Sequence, residues 1–100
     1  MNDDDNYRTP SFNKLYFGLP GHVRKQAVDA YNLFKLNPRH PSLRSHPLKK
    51  TRLGKHENGS ISITITMQYR AIFVTKNGVN LWYWIGTTDS YSAFTGIKDS

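Results

Sequence analysis

Arg70, Tyr91 and His46, with the hydroxyls of Ser62 and Thr64, are suited to act together on a phosphate ester. A guanidinium binds phosphate through paired N–H donors. A phenol stacks on a base or handles a proton, imidazole takes and gives protons near neutrality, and hydroxyls suit a sugar. The stretch 35–55 adds Lys35, Arg39, Arg44, Lys49, Lys50, Arg52 and Lys55 with no acid among them. Gathered on one surface, these groups would fit a single-stranded phosphodiester. Each also has a plainer explanation. Arg70 would serve as a surface arginine lying along the sheet, Tyr91 as a plug for the C-terminal tail, and the cations as a solvated face. His40, His46 and His56 fall within seventeen residues, but only Glu57 accompanies them, a poor donor set for a metal ion. No metal and no other cofactor is expected.

Composition narrows the setting. One hundred residues make one domain with a thin core and no room for a cofactor-binding half. The net charge is +7, and three of the seven acids are Asp3, Asp4 and Asp5; from Asn6 onward the balance is +10. Such a field attracts nucleic acid or an acidic protein. The absence of cysteine excludes disulfides, thiol catalysis and Cys-based zinc. The opening MNDDDNY lacks a signal-peptide pattern, and no apolar run is long enough for a membrane span, so a cytoplasmic protein with no membrane partner is expected.

The elements that must position these residues follow from periodicity and punctuation. Residues 1–8 read as a loose acidic tail, with 6–9 too few to assign as an edge strand. Thr9-Pro10 starts a short helix carrying Phe12, Leu15 and Tyr16 on one face, ended by Gly18. Pro20 opens a second helix with the stripe Val23, Ala27, Ala30, Tyr31 and Phe34, stopped at Asn37-Pro38. The stretch 38–47 holds three prolines and should be irregular, with a strand expected at 48–52 and a tight hairpin at Asn58-Gly59. In SISITITM, Ile61, Ile63, Ile65 and Met67 alternate with hydroxyls, which predicts a strand with one wet face. Tyr69–Lys76 and 79–85 form further strands about Asn77-Gly78; their apolar residues occupy both parities, so both faces should be covered, with both tryptophans in the core. From Gly86 the chain reads as a loop, frayed at 96–100. The class is α+β: an N-terminal αα-hairpin on a three- to four-stranded antiparallel sheet, one domain over 9–95.

Four segments in order, NPRHPSLRSHPL, QYRAIF, the NG turn and WYWIGTTDSY, resemble the RelE/ParE superfamily of toxins from type II toxin–antitoxin systems, over roughly residues 10–94. The resemblance implies the RelE-like fold and a cognate antitoxin partner. It implies one of two activities, cleavage of mRNA, usually on the ribosome, or inhibition of DNA gyrase. In the RNase branch it gives Arg70 the role of stabilising the phosphorane and Tyr91 that of orienting the substrate or protonating the leaving oxygen. It matches Asp89 to an acid of the final loop. Arg44, Lys49 and Lys50, with Ser62 and Thr64, would then hold the RNA. Two positions depart from the pattern. Thr88 stands where many relatives carry histidine, and Ser62 and Thr64 stand where RelE carries lysines. His46 and Lys49 are the candidates to supply the missing proton-transfer group. A metal-independent endoribonuclease is the leading reading. A gyrase inhibitor, an inactive relic that only binds antitoxin, and a nonspecific nucleic-acid-binding module are the alternatives.

Overall fold

The computed structural model describes residues 5–97. The chain runs β1 (Asn6–Arg8), α1 (Pro10–Phe17), α2 (Gly21–Leu36), a 3-10 turn at Pro41–Leu43, β2 (His46–Pro47), β3 (Ile61–Thr66), β4 (Tyr69–Lys76), β5 (Val79–Thr87) and α3 (Thr88–Thr95). The five strands lie in the order β1-β5-β4-β3-β2; β1 is parallel to β5 and every other pair is antiparallel. The α+β class and the helical hairpin on a sheet are as expected, but the sheet is one strand larger than the largest sheet foreseen.

Local chemistry accounts for the N-terminal half. The Thr9 hydroxyl accepts from the Phe12 N–H at 3.2 Å with Pro10 just inside the helix, so α1 starts where its cap dictates. All five residues of the α2 stripe are buried, and Asn37 turns extended ahead of Pro38. These helices cover one face of the sheet, packing Phe12, Ala27, Ala30 and Phe34 on Ile63, Ala71, Phe73, Trp82 and Ile85. Phe34, Phe73 and Trp82 form an aromatic knot with ring centroids 4.5–5.3 Å apart.

The reading of residues 1–8 as a loose tail is corrected at Asn6–Arg8; residues 1–4 lie outside the described residues. The Trp82 indole N–H donates to the buried Asn6 Oδ1 at 2.9 Å, and the Asn80 N–H donates to the Asp5 carbonyl at 2.8 Å. The expected strand at 48–52 is absent. Pairing begins two residues earlier, at His46 and Pro47, and ends when the Leu48 N–H donates to the Ser60 carbonyl. Residues 49–59 then bond among themselves and to the end of α3. The Lys50 ammonium donates to the Gly54 and His56 carbonyls, the Thr51 hydroxyl to the Thr95 carbonyl at 2.6 Å, and the Lys55 N–H to the Phe94 carbonyl at 2.7 Å. Asn58-Gly59 does form a tight turn, with Gly59 at φ 83°, but it closes this loop rather than a two-stranded hairpin. Asn77-Gly78 is the expected hairpin, both residues at positive φ.

The C-terminal loop is likewise corrected. Strand β5 continues to Thr87, whose hydroxyl accepts from the Ser90 N–H at 3.1 Å and starts α3; Gly96 at φ 68° ends it. Helix α3 covers the face of the sheet that the alternation of β3 marked as wet. A β-bulge makes this possible. Ile72 opposes Trp84 while Phe73 opposes Trp82, leaving Tyr83 as an extra residue. The extra residue inverts the parity of β5, so Trp82 enters the core under α1 and α2, whereas Trp84 joins Leu48, Ile72 and Tyr91 in a second core under α3. Met67, expected on the apolar face of β3, lies in the β3–β4 turn and is 92% exposed.

Candidate active site

Arg70 is the second residue of β4, opposite Thr64 on β3 and Gly86 on β5. It shares a sheet face with Ile72, the face under α3. Its guanidinium carbon lies 4.8 Å from the centroid of the Tyr91 ring, a cation–π contact. Gly86 makes room for this arrangement. A Cβ there would stand 2.9 Å from two carbons of the Trp84 six-membered ring, so the indole lies across the glycine beside Arg70.

Tyr91 is 1% exposed, and its hydroxyl is 3.5 Å from His46 Nε2. The other ring nitrogen, Nδ1, is 3.0 Å from the Arg44 carbonyl. A carbonyl only accepts, so Nδ1 carries a hydrogen, and the neutral tautomer with that hydrogen has its lone pair at Nε2. Arg44 holds that carbonyl in place from a left-handed conformation, φ 45°, at the end of the 3-10 turn. A cation, a phenol and an exposed imidazole, contributed by β4, α3 and β2, are therefore joined through Tyr91 on the α3 face of the sheet, with His46 at its edge.

Three of the residues singled out in the sequence as catalytic candidates, Arg70, Tyr91 and His46, are brought together. The fourth, Asp89, is exposed in the first turn of α3, two residues from Tyr91, where an acid also complements the helix dipole. Of the residues assigned to RNA, Thr64 is half-buried beside Arg70 and Arg44 is exposed beside His46. One assignment is corrected. Ser62 is 1% exposed beneath the second core, closed off from any polymer. Lys50 is exposed, and its ammonium donates to the Gly54 and His56 carbonyls, which ties it to the loop. Lys49 is exposed, and its carbonyl accepts from the buried His56 ring at 2.8 Å. Helix α3 and the Trp84–Gly86 packing escaped the sequence reading. The signals for α3 were present: Thr87 three residues before Ser90, an acid in the first turn, and Gly96 just past the end.

No protein-family model matches the sequence, and no curated protein matches it. Solved structures do. Superposition on YafQ from E. coli strain BL21(DE3) gives a TM-score of 0.68 at 14% identity, covering 89% of this chain and 98% of that one. A copper-bound mutant toxin from Helicobacter pylori matches at a TM-score of 0.59 and 19% identity, covering 86% and 96% of the two chains. A YoeB/ParE toxin from Agrobacterium tumefaciens gives 0.56 at 18% identity, over 78% and 88%. The H. pylori and A. tumefaciens proteins are toxins, and this chain has the fold that they share with YafQ.

Proposed function

We propose that the protein is a toxin of a toxin–antitoxin pair whose activity is metal-independent cleavage of single-stranded RNA, centred on Arg70 and His46. The observation that carries this reading is the Arg70–Tyr91–His46 cluster: the Arg70 guanidinium lies over the Tyr91 ring and the Tyr91 hydroxyl lies 3.5 Å from His46 Nε2, so a cation and an imidazole flank one phenol.

The reaction needs a base at the 2′-hydroxyl and positive charge on the phosphate. His46 Nε2 takes the proton from the 2′-hydroxyl. The 2′-oxygen attacks phosphorus, and the bond to the 5′-oxygen breaks, leaving a 2′,3′-cyclic phosphate and a 5′-hydroxyl protonated from solvent. Arg70 binds the non-bridging oxygens as charge accumulates on them. Tyr91 is too buried to stack on a base. It acts as a positioning residue, its ring carrying Arg70 and its hydroxyl addressing His46.

An antitoxin is the expected protein partner; YafQ is known in a toxin–antitoxin complex with DinJ. Induced expression tests the proposal. Growth arrest with transcript cleavage is expected, and Arg70→Ala and His46→Ala should each lower cleavage of a purified RNA by at least ~100-fold at unchanged melting temperature. Full activity in Arg70→Ala would reject the assignment. DNA damage and filamentation without transcript cleavage would move the target to gyrase, and no arrest at all would leave a protein that only binds antitoxin.

A further inference from the structure

Two adjoining depressions run along the β2 edge away from the His46 ring. The first, about 480 Å³, is lined by His46, Pro47, Arg44 and Arg39; the second, about 710 Å³, continues past Arg39 to Lys35 and ends at Asp5 and Asn80. They share Arg39, Ser45 and Ile61, so together they form one trench from His46, at the β2 edge, to the C-terminal end of α2, on the α1–α2 side of the sheet and around the edge from Arg70 and Tyr91. Lys35, Arg39 and Arg44 are all exposed, and none is in an ion pair among the described residues. Lys35 leans on the Tyr31 ring at 4.8 Å, a contact that leaves its N–H donors available. Lys35 in the last turn of α2 also complements the helix dipole, but Arg39 and Arg44 lie beyond the helix.

We infer that this trench is the binding track for the single-stranded RNA on one side of the scissile linkage, with Arg44, Arg39 and Lys35 taking successive phosphates. The inference rests on the RNase reading, since a chain cut at His46 must leave the site along some surface and this is the cationic one that begins there. An extended peptide fits less well. The flanking edge strand is only two residues long, and one of them is Pro47, which has no N–H to donate, so the trench offers charge and little of a backbone ladder.

A dodecamer of fluorescent 2′-O-methyl RNA separates binding from catalysis, because it lacks the attacking hydroxyl. Its affinity, measured by anisotropy across a salt series, should fall about tenfold in Lys35→Ala/Arg39→Ala. The slope of log affinity against log salt should fall by about 0.7 for each cation removed. Lys14→Ala/Lys55→Ala makes the same charge change in a different groove and should leave the slope near wild type. An unchanged slope in the first variant, or an equal loss in the second, overturns the track. Weakened binding of a polyglutamate peptide with RNA binding intact also overturns it, assigning the trench to a protein partner. The RNase reading fails separately: if ordinary RNA is bound through Lys35 and Arg39 but never cut, the track stands and the catalytic proposal falls. If wild type cuts and Arg70→Ala does not, while the trench variant binds and cuts normally, only the track falls.

Discussion

A phenol buried to 1% cannot be read as one chemical group among equals. The two halves of Tyr91 do different things: the ring supports Arg70 and fills the core beside Trp84, while the hydroxyl faces His46. Two substitutions take them apart. Tyr91→Phe keeps the ring, so the fold and the Arg70 contact should survive, and RNA cleavage should fall by no more than about tenfold as His46 loses an orienting partner. Tyr91→Ala opens a cavity in the second core and should cost about 3–5 kcal/mol in a urea denaturation series, with activity lost alongside. Equal activity loss in both variants at full stability would instead make the hydroxyl a direct participant. Gly86 offers a test of the supporting packing. Alanine there drives a methyl into the Trp84 indole, and a stability loss of about 1–3 kcal/mol is expected, read as a lowered melting temperature.

At the scale of elements, the loop 48–60 and α3 form one unit that closes the second face. Tyr83, the extra residue of the β5 bulge, fastens that unit to the sheet. Its hydroxyl meets Ser60 Oγ and accepts from the Glu57 N–H at 2.9 Å. Burial raises the Tyr83 pKa above the usual phenol value, against the opposing pull of the Ser60 and Glu57 hydrogen bonds. The folded state therefore holds this proton more tightly than the unfolded state. Its contribution to stability is complete below the unfolded value of about 10 and is lost as pH rises through the higher folded value. Denaturation measured from pH 8 upward should show wild type losing stability above about pH 10 more steeply than Tyr83→Phe. Parallel curves would show that the phenol stays equally protonated in both states. Lys50 belongs to the same unit, which is why a cation in a basic run turned out to be a fastener.

Across the whole molecule, the protected centre is the pair β4 and β5. The four residues Ala71, Ile72, Phe73 and Val74 are all buried, Phe73 and Ala71 under the helical hairpin and Ile72 under α3. Strand β2, by contrast, is a two-residue edge whose side chains are exposed. Hydrogen exchange should find the amides of 71–74 and 81–85 opening only with global unfolding, and those of 46–60 opening much sooner. Equal protection in both regions would contradict this division. The arrangement suits the proposed chemistry, with Arg70 anchored in the rigid strand and His46 on the exposed edge strand.

The local signals in this chain were sufficient wherever one residue decided the outcome alone. Thr9, Pro10 and Asn37-Pro38 set the helix ends, the α2 stripe set its buried face, and Asn77-Gly78 set a hairpin, because caps and turns depend on neighbours a few positions away. Arg70, Tyr91 and His46 were legible as chemistry by type alone. Their meeting was not, since it depends on a strand, a helix and an edge strand that are remote in sequence. The bulge at Tyr83 leaves no local mark, yet it inverts the side on which Trp84 falls and so decides that the face expected to be wet has a core. Ser62 shows the same limit from the other direction. Alternation places a hydroxyl on a face, but only the elements packed against that face determine whether water reaches it.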